Sequence, residues 1–197
     1  MNRQSPHSMQ IVKREEKEAK LFQFVLGEIA AGRVSLDGEW IVTALSMESP
    51  VISALRRVVN ELGEASLLQL RVILTRSVDS AHLDGFEDVS SIVVHTGQSS
   101  RLLDAHEQLV LGAVSSWTGD CMRRDPQERD AFELFGDDNR ELADWAVKSF
   151  ERIWAMTKPV KHTYRQTATN AGVADMDDVL ASEGMNQQTI VAATSRH

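Results

Sequence analysis

His106 is the residue whose type and position in this sequence most directly suggest chemistry. It stands before an apolar run in the segment DAHEQLVLG. A strand over this run would place the imidazole at the end of a sheet, with Leu109 and Leu111 on one face and Val110 on the other. An imidazole in such a place can act as a nucleophile or a general base. The composition of the segment also fits a merely structural or surface histidine, so both interpretations stay open.

A second group of polar residues lies in SSWTGDCMRRDPQERDAFELF, around a turn between two predicted strands. It includes Ser115, Ser116, Thr118, Arg123, Arg124 and Asp125. The adjacent arginines can grip a phosphate bidentately, and the nearby aspartates can orient them. The alternative is a salt-bridged surface loop, in which each exposed pair contributes only about 0 to 1 kcal/mol. We predict no metal site here, because the interleaved arginines would compete for the carboxylates.

Several familiar catalytic and binding motifs are absent from the sequence. It contains no GxxxxGK[ST], no GxGxxG after a predicted strand, no GxSxG and no HExxH. We therefore predict no cofactor. The only cysteine, Cys121, excludes an internal disulfide and a Cys-rich zinc site. We expect its side chain to be a small buried apolar group, although the neighbouring arginine pair would favour a reactive thiolate.

Composition and charge narrow the class of protein. The 197 residues are 42% apolar and 25% charged, which suits one globular domain with a single core. Lys and Arg number 21 against 29 Asp and Glu, and the resulting net charge of −8 disfavours a nucleic-acid-binding protein but permits a local basic pocket. The sequence shows neither a secretory signal nor 18 uninterrupted apolar residues, which predicts a cytoplasmic protein without a membrane span.

The spacing of apolar residues predicts an α/β fold. It indicates a helix over 11–31 that ends at Gly32 and has a Lys, Arg and Glu outer surface. The remaining predicted elements are strands at 39–45, 68–75, 90–95, 107–111, 114–117 and 131–135, and helices at 50–63 and 139–156. The first two of these strands, with the helix between them, are typical of a βαβ unit. We expect a mixed, largely parallel sheet flanked by helices, with Trp145 and Trp154 anchored in the core.

The same patterns divide the chain into three parts. Residues 1–10 are predicted to be a flexible N-terminus and residues 11–156 the folded α/β domain. Residues 157–197 are rich in Thr, Ala, Gln, Asn and Asp and lack a sustained period, which predicts a mostly flexible tail.

Between residues 40 and 154, the order of these pieces resembles the phospholipase D-like superfamily, in its short form with one HKD-type motif and two paired chains. The matching segments are HEQ at 106–108 for His-x-Lys, SSWT at 115–118 for the Gly-Ser turn, MRRD at 122–125 for Leu-Arg-x-Asn, and FERIW at 150–154 for Phe-Glu-x-x-Trp. The family lysine is replaced by Gln108, and the family aspartate falls at Ala113. The HKD motif is therefore degenerate, with only its histidine kept.

The resemblance implies a phospholipase D-like fold, a homodimer, and a phosphate-containing small molecule or a phosphodiester as ligand. In the family, one histidine attacks phosphorus and the partner histidine protonates the leaving group. The resemblance thus makes His106 the catalytic residue, with Ser115 and Ser116 at the catalytic turn. It places the ligand against Gln108, Thr118, Arg123, Arg124 and Asp125.

Three functions follow from these observations. The first is a degenerate phospholipase D-like domain that binds a phosphate-containing ligand or a protein partner and has weak or no phosphodiesterase activity. The second is an active dimeric phosphodiesterase, either a nuclease or a lipase, that uses His106 as its nucleophile. The third is a protein-protein adaptor whose acidic face at 120–151, which holds ten acidic residues, meets a basic partner.

Overall fold

The structure is a computed structural model that describes residues 7–11, 13–63, 68–78, 80–86, 89–97, 105–121 and 132–163. The described helices are α1 (Arg14–Ala30), α2 (Pro50–Leu62) and α3 (Arg140–Trp154). The described strands are β1 (His7–Gln10), β2 (Glu39–Ala44), β3 (Gln69–Leu74), β4 (Ser80–His82), β5 (Ser91–Thr96), β6 (His106–Leu111), β7 (Ser115–Cys121), β8 (Phe132–Gly136), β9 (Lys158–Pro159) and β10 (Lys161–Thr163).

Most of these strands form one mixed sheet in the order β1-β8-β7-β6-β2-β3-β5-β9, and β10 pairs with β4 in a second, two-stranded sheet. The predicted α/β class with a mixed sheet is confirmed. In the large sheet, however, only β2, β3 and β5 run parallel to one another. The other neighbouring pairs are antiparallel. The short turn between Leu111 and Ser115 explains part of this difference, because such a turn joins only antiparallel strands.

Helices cover both faces of the sheet. α1 and α2 pack on one face, where they contribute side chains such as Leu21 and Val51 to the larger apolar cluster. α3 packs on the opposite face through the smaller cluster, in which Ala143 and Ala146 lie against Val110. Leu109 and Leu111 belong to the larger cluster, so β6 alternates between the two cores as predicted.

α2 begins and ends where the sequence indicates, whereas α1 ends as predicted but begins at Arg14 rather than at residue 11. α2 starts directly after Ser49 with Pro50 in its first turn, where the missing N–H of proline has no intrahelical partner to lose. It ends at Gly63, whose φ of 68° favours glycine. Gly32 ends α1 in the same way with a φ of 66°.

The structure differs from the sequence predictions at the edges of the domain and on α3. Residues 7–10, predicted to be flexible, form the edge strand β1 and pair with β8. Beyond residue 156, β9 and β10 pair with β5 and β4, and residues 164–197 lie outside the described part. Trp145 was predicted to be buried but is 55% exposed, because α3 turns this position away from the sheet. None of the described helices is long and apolar enough to cross a bilayer.

Candidate functional site

His106 is the first residue of β6, and its side chain is exposed at the end of the sheet. Its Nδ1 lies 2.9 Å from the carbonyl oxygen of Gly119 on the neighbouring strand β7. A carbonyl oxygen can only accept a hydrogen bond, so Nδ1 must carry the proton. In the neutral imidazole, Nε2 then keeps its lone pair. His106 therefore has one ring nitrogen that can take up a proton or attack an electrophile.

The bond between His106 and Gly119 depends on a β-bulge. Gln108 pairs with Thr118, whereas His106 pairs with Cys121, so the register shifts by one residue between these pairs. Two residues of β7 consequently stand opposite one residue of β6. A bulge of this kind turns backbone groups away from their regular ladder positions. It leaves the carbonyl of Gly119 available to the histidine ring.

Gln108, which the sequence resemblance aligns with a lysine, is only 4% exposed and belongs to a row of buried polar side chains. Thr43 on β2 and Thr118 on β7 are its cross-strand partners. Within the described residues, Gln108 Oε1 and the hydroxyl oxygens of Thr43 and Thr118 are buried without a hydrogen-bond partner. Leaving such a group unpaired costs about 1–3 kcal/mol. A row of three is therefore suited to taking up water or a polar ligand.

Ser116 belongs to the same face of the sheet as this row. It pairs with Val110, which lies in the core beneath α3, and its hydroxyl oxygen is also buried without a partner among the described residues. Gly136 on β8 approaches it closely, since a Cβ at that glycine would lie 3.3 Å from Ser116 Oγ. The structure therefore places Ser116 beside the Gln108 row.

Ser115 lies on the opposite face of the sheet and is fully buried. Its hydroxyl donates a short hydrogen bond to Glu28 of α1, and it accepts a 3.4 Å hydrogen bond from the backbone N–H of Asp138. Successive residues of a strand point to opposite faces, which separates Ser115 from Ser116. The structure thus does not bring Ser115 together with Gln108, and its predicted catalytic role stays a prediction.

The remaining predicted site residues, Arg123, Arg124 and Asp125, lie outside the described residues, as does the side chain of Cys121. Of the acidic face predicted at 120–151, Asp125, Glu128 and Asp130 also lie outside the described residues, and Glu133 is buried rather than on the surface. The adaptor role stays a prediction. Within the described ranges, no group of three or more His, Cys, Asp or Glu side chains is arranged to hold a metal ion.

Two buried charged residues of α1 were missed by the sequence analysis, which assigned the Lys and Glu residues of this helix to its surface. Lys17 is 6% exposed and Glu28 is 2% exposed. They share one buried stripe with Leu21 and Val25, at intervals of four, four and three residues. This helical spacing is the signal in the sequence that would have identified them.

Lys17 belongs to a buried network behind β7 and β8. Its Nζ forms a 2.5 Å ion pair with Oε1 of Glu133, which is fully buried. The indole Nε1 of Trp117 donates a 2.6 Å hydrogen bond to the other carboxylate oxygen of Glu133. We call these three side chains the Glu133 network. Burial raises the pKa of Glu133, Lys17 and Trp117 oppose this rise, and the nearby carboxylate of Glu107 adds to it.

Glu28 forms a second buried contact between α1 and the sheet. Besides the bond from Ser115, it receives hydrogen bonds from two nitrogens of Arg33, including a 2.9 Å bond from Nε. Burial alone would raise the pKa of Glu28. The hydrogen bonds from Arg33 and Ser115 and the positive charge of Arg33 outweigh this effect, so the pKa is lowered.

Comparison with solved structures identifies the fold. It is similar to that of Nuc from Salmonella typhimurium, a phospholipase D family member, with 11% sequence identity, a TM-score of 0.52, and coverage of 80% of this chain and 98% of Nuc. NucT from Helicobacter pylori is another similar structure, with 7% identity, a TM-score of 0.48, and coverage of 79% and 98%. No protein-family model and no curated protein matches this sequence. The likeness to Nuc confirms the predicted phospholipase D-like fold.

Proposed function

We propose that this protein is a degenerate phospholipase D-like domain that binds a phosphate-containing ligand at the His106 end of β6 and has weak or no phosphodiesterase activity. The observation that carries the proposal is the combination of an exposed, oriented His106 with a neutral, buried Gln108 two residues later. The first supplies a contact for a polar ligand. The second lacks the positive charge that the family's chemistry needs.

The missing charge decides between binding and catalysis. In phosphoryl transfer by this family, lysines stabilise the negative charge that develops on the phosphate oxygens. Loss of one such preorganised donor typically lowers the rate by about 10²–10³. In a homodimer, each of the two chains would have Gln108 in place of the family lysine, so both lysines would be lost. The unpaired hydroxyls of Thr118 and Ser116 can donate to ligand oxygens, but they carry no charge.

Ligand binding is tested with a minimal phosphodiester. Diethyl phosphate is titrated into the full-length protein, and the ring signals of ¹⁵N-labelled histidines are followed by NMR. We expect the His106 signals, which are identified by their loss in His106→Ala, to shift in a saturable way. This shift should be lost in the variant Thr118→Val. His82→Ala, which removes an exposed histidine on β4, should still bind. Unchanged His106 signals at saturating diester would contradict the proposal.

The second candidate is an active dimeric phosphodiesterase, and one observation favours it. With its proton held on Nδ1, His106 presents the unprotonated Nε2 that a nucleophile requires. The protein and its His106→Ala variant are compared for hydrolysis of bis(p-nitrophenyl) phosphate. Hydrolysis that disappears in the variant would favour this candidate over the binding domain. If the native protein is inactive and Gln108→Lys gains activity, the site is a catalytic one that has lost its charge.

A further inference from the structure

The Glu133 network lies on the opposite face of the sheet from the Gln108 row, yet it touches the strand residue that holds His106. Gly119 supplies the carbonyl oxygen that accepts the bond from His106 Nδ1. The space beside its Cα is filled by the Trp117 indole, because a Cβ at Gly119 would lie 2.6 Å from Cζ2 and 2.8 Å from Cη2 of that ring. The same Cβ would lie 3.4 Å from Oε2 of Glu133. The indole edge and the bulge are therefore in direct contact.

The position of the indole is itself strongly constrained. Trp117 is fully buried, and its only side-chain donor is engaged by Glu133. Glu133 is in turn held by Lys17, which reaches it from α1. Removing one member of a buried, charged group leaves the others without a partner, so such groups tend to keep a single arrangement. The ring edge against Gly119 consequently has little freedom to move.

We propose that Lys17, Glu133 and Trp117 are positioning residues for His106, because they hold the β7 bulge at Gly119 and thereby fix which ring nitrogen carries the proton. This inference rests on the proposed function only in giving His106 a ligand. The hydrogen bond made by one ring nitrogen sets the tautomer of a histidine. If the indole no longer supports the bulge, the Gly119 carbonyl can turn away and the proton is free to move to Nε2.

The experiment measures the tautomer of His106 directly in the ligand-free protein. Long-range ¹H–¹⁵N spectra of the full-length, histidine-labelled protein distinguish protonation on Nδ1 from protonation on Nε2, and His106→Gln identifies the signal among the six histidines. In the native protein we expect Nδ1 to be protonated. Trp117→Phe removes both the indole donor and the ring edge against Gly119, and it should shift His106 toward the Nε2-protonated form.

Conservative and matched variants separate positioning from folding. Glu133→Gln keeps an acceptor for the indole, so it should shift the tautomer less than Glu133→Ala does. Glu28→Gln disturbs a different buried carboxylate, which lies on α1 and contacts β7 through Ser115, and it should leave the tautomer of His106 unchanged. If Trp117→Phe does not fold, Lys17→Met, which removes the cation from the network, should give a shift in the same direction.

The proposal is overturned if a folded Trp117→Phe or Lys17→Met variant keeps the native tautomer, or if Glu28→Gln changes it as much as Glu133→Ala does. Because the tautomer is read without ligand, this result is independent of the diethyl phosphate titration. A protein that fails to bind the diester but shows the expected shifts would contradict the proposed function alone. A protein that binds it without those shifts would contradict the positioning role alone.

Discussion

Arg71 on β3 donates hydrogen bonds of 2.7 and 3.2 Å to the two carboxylate oxygens of Glu151 on α3. Its guanidinium also lies 4.3 Å from the centre of the Trp154 ring and 5.0 Å from that of Phe150. His95 on β5 stacks on Trp154, with 3.6 Å between the ring centres and 13° between the planes. The residues of the Phe-Glu-x-x-Trp pattern, Phe150, Glu151 and Trp154, therefore hold the end of α3 against the sheet.

The bond between Arg71 and Glu151 should contribute measurably to stability. We expect Glu151→Gln to lower the free energy of unfolding by about 1 kcal/mol, the upper end of the range for a partly exposed pair, because the geometry is bidentate. Glu39→Gln is the matched control, since Glu39 meets the same arginine at 3.5 Å and is about as exposed. Urea unfolding of both variants tests this, and equal losses would refute the preference for Glu151.

His95 should make the stability of the protein depend on pH below neutrality. Burial and the nearby charge of Arg71 lower the pKa of His95 from its ordinary value of 6.5. The unfolded chain then takes up the proton more readily, so stability is lost as the pH falls below about 6.5. His95→Phe keeps a ring to stack on Trp154 but does not titrate. Its unfolding free energy should fall less than that of the native protein over this interval, and parallel curves would contradict the prediction.

Glu28 should stabilise the fold above the ordinary carboxyl pKa of 4.5 and lose this contribution as the pH falls through its lowered folded value. The reason is that the folded state holds the ionised form through Arg33 and Ser115 more tightly than the unfolded chain does. Glu28→Gln should therefore show a weaker loss of stability in acid than the native protein. Urea unfolding at a series of pH values below 4.5 measures the difference. If the variant loses as much stability in acid as the native protein, the predicted effect of the contact of Glu28 with Arg33 and Ser115 is contradicted.

The contribution of Glu133 to stability should change with pH in the direction opposite to that of Glu28. Because burial raises the pKa of Glu133 above 4.5, the folded state favours the protonated form, and its contribution is lost as the pH rises through the raised value. Removing the carboxyl in Glu133→Gln should flatten the stability curve above pH 4.5 and leave the curve below it unchanged. Urea unfolding over the same pH series tests this. If the variant instead loses less stability below pH 4.5 than the native protein does, Lys17 lowers the pKa of Glu133 more than burial raises it.

Gly119→Ala should destabilise the protein by about 1–3 kcal/mol, because its Cβ would overlap the fixed indole of Trp117. Gly27→Ala is the matched control, since a Cβ at this position of α1 meets nothing within 4 Å. It should instead stabilise by about 0.5–1 kcal/mol, through the better helix propensity of alanine. Thermal unfolding distinguishes the two, and losses of similar size would refute the close approach at Gly119.

The sequence predicts more of the fold than of the candidate site. The order and type of the main elements were predicted correctly, because apolar periodicity and turn residues such as Gly32 and Gly63 are local signals. The place of His106 at the start of β6 followed from the same alternation. The exposed position of Trp145 did not, since the pattern of α3 gives the direction of an apolar face but not how much of it the sheet covers.

The surroundings of the site were decided only by the tertiary structure. Glu28 meets Ser115 across a separation of 87 residues, and Lys17 meets Glu133 across a still longer one. No local pattern reveals such partners, because the sequence does not state which strand a helix will cover. The bulge that brings the Gly119 carbonyl to His106 likewise arises between two strands. The sequence therefore determined the elements and the candidate histidine, whereas the pairing of β6 with β7 and the packing of α1 against the sheet decided the surroundings of that histidine.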